Sequence, residues 1–546
     1  MAGKKFLLPI IGAAVVVAGG AAAYLHFKGP SKDIGNPLAS AEVVPDEAYM
    51  AAFISTNENS WAKIRQFGTP EAQKLVNQGL QDLQKEMMKE SKLDYEKDLK
   101  PWIGNIMVAV LPEDAKTKND EPDALIVVGI KDKVAALNFA KKMESQAGVK
   151  SSKSDYKGVE ITQFTSAEKA EPTYSAVLKD FLVLAGEKRI IERAIDTSKG
   201  EPSLASKPDA QAVLTKQIGV QNPVATVYLL DYGNAIQELM ANNPESGQLP
   251  PATLEQIKQV KSVVAGVGID DNGIRMKALA NLNPNAKTIT YKPAPGTVVS
   301  LFPAETFALV SGAGISQVWS QATEQINATP EGKQALEQMR MGAGMVNLDL
   351  DKDVFGWMDG EFGIGMIPSN QGLLAQVGFG GVMVFDTSDR KTAENTFKKL
   401  DELVKAQGVS VGQRDVQGKQ VTEWAAPGAG SLVGHGWLDN DTVFVALGGS
   451  LVDMVANKPS QALDGSDSFK TVTGSLPKQN LGYFYLDMDK TMNLMKGTVL
   501  ASQSNAIPPE TMAVLNSIRG VGMTSSQPDK TTGELEVVLA LKPATK

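Results

Sequence analysis

The sequence predicts an α+β protein made of two tandem copies of one unit, each a largely antiparallel sheet with packed helices, behind an N-terminal apolar helix. Three observations carry that expectation. The hydrophobic period switches repeatedly between strand and helix spacing, one acidic–tryptophan block occurs twice, and an uncharged run fills Phe6–Phe27.

The strand signals come first. Tyr49–Ile54, Ile106–Leu111, Leu125–Ile130, Val159–Phe164, Phe181–Ala185 and Val224–Leu230 are short apolar or alternating runs. The pair 106–111 and 125–130, with a polar loop between, suits antiparallel pairing. Val76, Leu80, Leu83 and Met87 recur at the spacing of a helix with one buried face. Val134–Met143 and Ile190–Ile195 read as further helices, matched later in the chain by Lys391–Val404 and Leu451–Val455. Strands with helices inserted, rather than strict β–α alternation, point to α+β.

The duplication rests on a gap-free match. Asp94, Glu96, Lys97, Asp98 and Trp102 align with Asp349, Asp351, Lys352, Asp353 and Trp357. Other pairs follow in the same order: Tyr156–Phe164 with Val416–Trp424, Val227–Asp231 with Tyr483–Asp487, and Val263–Gly268 with Ile518–Gly522. A repeat this long is domain duplication rather than a stacked array. The expected organisation is an N-terminal anchor or signal segment over 1–28, a linker over 29–42, a first repeat domain over 43–284 and a second over 295–545. Pro284, Pro293, Pro295 and Gly296 supply the break between them.

Lys4 and Lys5 precede the N-terminal apolar run, which is long enough to cross a bilayer as a helix. A cleavable signal would end at small residues such as Ala21–Ala23 or Ala39–Ala41. An uncleaved anchor would use the whole run, with Tyr24 and Lys28 at the far interface. Continuation through Tyr24, Leu25 and Phe27 favours the anchor. Either way the bulk of the chain is expected on the exported side, in a periplasm or thylakoid lumen.

Composition excludes more than it suggests. A net charge of −8 argues against general nucleic-acid binding, which needs a basic face. The absence of cysteine removes disulfides, thiolate metal sites and cysteine nucleophiles. Of the two histidines, His26 lies in the apolar segment, so a histidine-based triad or metal site would rest on His435 alone.

At Asp98-Leu-Lys-Pro-Trp-Ile-Gly104, followed by Tyr156-Lys-Gly-Val and Leu182-Val-Leu-Ala-Gly-Glu187, the chain resembles the domain of unknown function 3352 family. The likeness covers most of the first copy and, more loosely, the second, where Gly356-Trp-Met-Asp-Gly360 replaces the Pro-Trp-Ile-Gly form. The resemblance implies an exported bacterial protein, frequent in cyanobacteria, and implies no activity.

Each chemical motif meets a plainer reading. Asp349, Asp351 and Asp353 imitate the start of a calcium loop, but Val354 stands where glycine is needed and Gly360 where the terminal glutamate belongs. The plainer expectation is that Asp98 and Asp353 cap a short helix carrying the tryptophan. Trp102 and Trp357 are the candidate ligand or partner contacts, against a core-anchor reading. Phe307–Gly314 leading into Ile315–Ile326 mimics a nucleotide turn but has Gln317 at its third glycine position. Gly430-Ser431-Leu-Val-Gly434-His435 lacks nucleophile-elbow spacing and reads as a strand-flanking turn. Met339–Met345 is methionine-rich, and packing is the default for it.

No catalytic residue, cofactor or metal is assigned. The expected function is a membrane-tethered, non-catalytic envelope protein that binds or scaffolds. A carrier of an apolar ligand or lipid is the alternative, and a carboxylate-based hydrolase a second. Expected partners are the membrane, through the N-terminal helix, and another envelope protein or a lipid; nucleic acid is not among them.

Overall fold

The computed structural model describes residues 35–75, 77–78, 94–112, 123–144, 149–166, 172–241, 253–254, 257–284, 291–375, 377–426, 430–497 and 507–544. The N-terminal apolar segment and most of the helix expected around Val76, Leu80, Leu83 and Met87 lie outside them. Among the described residues no helix is long and apolar enough to cross a membrane.

Among the described residues one antiparallel sheet of 20 strands organises the chain. Its first half is built from β1 (Met50–Ile54), β2 (Ile103–Leu111), β3 (Asp123–Ile130), β4 (Val149–Tyr156), β5 (Val159–Ser166), β6 (Thr173–Leu178), β7 (Phe181–Ala185), β8 (Pro223–Leu229), β9 (Val260–Asp270) and β10 (Gly273–Leu282). The second half has β11 (Ala308–Ala313), β12 (Glu361–Pro368), β13 (Phe379–Asp386), β14 (Ser410–Val416), β15 (Lys419–Ala426), β16 (Gly430–Trp437), β17 (Thr442–Leu447), β18 (Tyr483–Asp487), β19 (Ile518–Asp529) and β20 (Thr532–Leu541).

Reading across the sheet, the first ten strands run β4-β5-β6-β7-β3-β2-β1-β8-β9-β10. The last ten run β14-β15-β16-β17-β13-β12-β11-β18-β19-β20. Strand for strand the two orders match. The halves meet where β10 pairs antiparallel with β20, from Gly273↔Ala540 to Asn281↔Thr532.

Local chemistry explains the hairpins. β4 and β5 are joined by Lys157 and Gly158, both at positive φ, with the Asp155 carboxylate accepting from the Gly158 amide at 3.1 Å. Gln417, Gly418 and Asp415 repeat that turn between β14 and β15. Two-residue turns of this hand match the twist of the strands they join. The expected pairing of 106–111 with 125–130 is present, Ile106 facing Val128.

Two filled cores lie on one face of the sheet. In the first, Met107, Ala109, Leu125 and Val127 meet Ile190, Ile191, Ala194 and Ile195 of the helix Lys188–Ser198. In the second, Val382, Val384, Phe444 and Ala446 meet Leu451, Val452, Val455 and Ala456 of the helix Gly449–Ala456. Each helix thus buries one apolar stripe of the same spacing.

The expected linker over 29–42 is corrected at its C-terminal end. Asn36 caps a short helix, Pro37–Ala41, in which Ser40 and Ala41 are buried, and Val43 and Val44 follow it into the first core. Apolar side chains in a segment that reads as Gly/Pro/Ser-rich are enough to draw it into the fold. Leu204 donates its amide to the Val44 carbonyl, as Leu463 does to that of Phe302.

Candidate functional site

The acidic–tryptophan block forms the same device twice. Tyr95–Leu99 and Leu350–Val354 are single wide turns, closed by Lys100 N–H to the Tyr95 carbonyl at 2.8 Å and Phe355 N–H to that of Leu350 at 3.2 Å. The caps are Asp94, which accepts from the Lys97 amide, and Asp349, which accepts from those of Asp351 and Lys352. Asp98 and Asp353 are therefore not the caps expected of them. Their carboxylates reach back to the amides of Asp94 at 2.8 Å and Asp349 at 2.9 Å, the reciprocal half of a capping box. The extra residue in a wide turn brings a side chain four positions on to the cap.

Each of these carboxylates also meets a lysine from the following helix. Lys142 of Lys133–Glu144 lies 2.6 Å from Asp98, and Lys399 of Arg390–Ala406 lies 2.6 Å from Asp353. Burial alone would raise the Asp98 carboxyl, but the Asp94 amide and Lys142 outweigh it and hold it below its ordinary value. At Asp353 burial is likewise outweighed, there by Lys399 and the Asp349 amide. Folded-state values below the unfolded one mean stabilisation that is complete above about pH 4 and is lost as pH falls through them. The thermal midpoint should therefore fall below about pH 4, and Asp98→Asn with Asp353→Asn should flatten that fall. An unaltered acid limb in the double variant would rule these carboxylates out as its source.

Trp102 and Trp357 are interior, at 1% and 2% exposure. Their indole N–H groups donate to the carbonyls of Asp98 at 2.8 Å and Asp353 at 2.9 Å. Phe139 lies against Trp102, and Phe385 and Phe397 lie against Trp357. In this structure neither indole offers a face or an N–H to a ligand or partner.

The calcium-like trio is dispersed. Asp349 caps the turn and Asp353 holds Lys399, while Asp351 accepts from Trp319 Nε1 at 2.8 Å and Arg340 Nε at 2.7 Å. The Arg340 hydrogen bond, opposed by burial and aided by Trp319, holds Asp351 below its ordinary value. Among the described residues no three acidic or histidine side chains converge as a metal site would require.

Gly430–His435 lies inside strand β16 rather than in a flanking turn. Ser431 donates to Glu423 at 3.0 Å, while His435 Nε2 lies 2.9 Å from Asp401, which also accepts from Trp424. Ser431 and His435 thus serve different carboxylates. Gly314, at positive φ, turns β11 into the expected helix Ile315–Ile326. Met339, Met341 and Met345 are exposed, against the packing expected of them. Their helix, Pro330–Met345, buries only Leu336. Burial pushes Asp386 up, against a hydrogen bond from the Thr442 hydroxyl and with Glu361, Asp441 and Asp439 adding to the rise. Yet Glu361 is spent on the amides of Gly296 and Thr297, and Asp439 on those of Asp441 and Thr442.

The feature that sequence reasoning missed is the sheet face opposite the two cores. An antiparallel sheet with one solvated face should carry polar residues there. Here, starting from the Met276↔Val537 pair at the seam, Val537 faces Met523, Met523 faces Phe484, Phe484 faces Val310, and Val310 faces Ile364. In the other direction Met276 faces Val267, then come Ala225, Ile54, Ile106 and Val128. Every partner is apolar. The ends of the row are covered, Val128 and Ile106 near Trp102 and Met383 near Trp357. Its middle is partly open: Val310 is 45%, Ile364 42% and Met276 41% exposed, Val537, Met523 and Phe484 between them are half-buried, and Met366, Leu447 and Leu535 beside them are exposed. At the same seam the core-side face carries ions instead, Arg275 with Asp270 and Glu536, and Lys277 with Glu536.

No curated protein matches the chain. Three crystal forms of TP0453 align with it at 14% identity. They cover 45–47% of this chain and 81–82% of theirs, with TM-scores of 0.25–0.26. A likeness that low carries nothing further. Over residues 10–541, nearly its whole length, the chain matches the family described as "Protein of unknown function (DUF3352)", and it belongs to that family.

Proposed function

We propose that this is a membrane-tethered, non-catalytic envelope protein that binds a partner through the apolar outer face of its sheet. The carrying observation is the open patch around Val310, Ile364, Met366 and Leu447, placed over cores that are already filled. Val310 and Ile364 are directly paired, Met366 pairs with Gly381, and Leu447 leans over that glycine. Contiguous apolar surface of this kind marks an interaction site. The carboxylates nearest to a hydrolytic pair are each engaged within the fold, Glu361 and Asp439 by backbone amides and Asp386 by the Thr442 hydroxyl, which speaks for binding over hydrolysis.

The binding unit is read as a duplication, with copies over 43–284 and 295–545. Support comes from the matching strand orders, the repeated hairpin turns and the two acidic–tryptophan turns with their lysines. A carrier of an apolar ligand or lipid is the second reading, favoured by the unbroken apolar row.

Address is the direct test. The full-length protein should pellet with membranes, and protease on the exported side should digest the chain beyond about residue 45. Intact protein in the soluble fraction, beginning at Tyr24 or Glu42, would replace the anchor with a cleaved signal.

A further inference from the structure

We infer that the open middle of the apolar row is a seat for a lipid acyl chain drawn from the bilayer beside it; this rests on the membrane tether proposed above. Six adjacent strands contribute one apolar side chain each: Met276, Val537, Met523, Phe484, Val310 and Ile364. None of the six belongs to a packed hydrophobic cluster among the described residues. At the usual spacing of neighbouring strands they span about 24 Å, enough to lay out a chain that fills one bilayer leaflet, about 15 Å deep. No polar or charged side chain interrupts the six, so an occupant that is apolar along its length fits.

The route of the chain puts lipid within reach. Described structure begins at Gly35, whose carbonyl accepts from Asn105 Nδ2 at 3.3 Å, beside Ile106 of the same row. Residues 28–34 separate it from the apolar run ending at Phe27, so the tether is under about 30 Å even when fully extended. From Ile106 the open stretch begins at Met276, four strands on and about 19 Å away. The seat and the membrane are thus held together by the protein's own tether.

The full-length protein would be reconstituted in phosphatidylcholine vesicles containing phosphatidylcholine with a diazirine in its acyl chain, irradiated, and mapped by peptide mass spectrometry. Adducts are expected at Val310, Ile364 or Met366 as well as in residues 6–27. Ile364→Asp should cut labelling of the row at least tenfold and leave labelling of 6–27 unchanged; Val310→Asp, at another exposed position, should do the same. Labelling confined to 6–27 would uphold the tether and overturn the acyl seat. Labelling of the row without 6–27 would uphold the seat and overturn the tether. Row residues cross-linked to a second copy of the chain in place of lipid would overturn the seat and make this face a dimer interface.

Discussion

Replacing Trp357 by alanine should cost about 3–5 kcal/mol of stability, and Trp102→Ala should cost a similar amount. Both indoles are almost wholly enclosed, so truncation leaves a cavity between the wide turn and the helix behind it. It also removes the indole donor to the carbonyls of Asp98 and Asp353, the second of which keeps the Thr396 hydroxyl. Trp357→Phe helps to separate the two contributions, because it loses the N–H but keeps most of the apolar volume. Denaturant unfolding of the three variants gives the numbers. A loss under about 1 kcal/mol for either alanine variant would mean that its tryptophan does not anchor its half.

Gly482→Ala should be as damaging, with a loss above about 4 kcal/mol or failure to accumulate folded protein. Gly482 sits at φ 126°, and a Cβ built there would fall within the carbonyl oxygen of Ser311 on the neighbouring strand. Strain and clash thus act together at the start of β18, where Asn480 also accepts the Gly482 amide at 2.8 Å. The corresponding approach to β8 uses Asn222, at φ 41°, whose side chain donates to the Ile269 carbonyl at 2.8 Å. Asparagine tolerates the left-handed region better than other side chains do. Gly465→Ala is the control, since a Cβ there meets open space, and it should change stability by less than about 0.5 kcal/mol. Equal effects of the two substitutions would refute the steric account.

What the sequence by itself determined is what depends on neighbours along the chain. Phe181–Ala185 is apolar throughout and is a wholly buried strand; Ile190, Ile191, Ala194 and Ile195 are spaced as a helix stripe and form one. The acidic–tryptophan block was legible because its hydrogen bonds span four or five residues. Even there the wide turn shifted the cap from Asp98 to Asp94, since ordinary helical spacing does not anticipate the extra residue. β4 and β14 escaped because they are the sheet's edges: edge strands are blunted with charge and carry no apolar alternation, as Lys153 and Arg414 illustrate. Only the tertiary structure decided that β10 pairs with β20, and with it the apolar row. A strand's period of two says that Met276 and Lys277 face opposite ways, but not which of them lies over a core. That choice belongs to strands brought together from distant parts of the chain, where each row member is one residue from a different strand and no local window holds two neighbours.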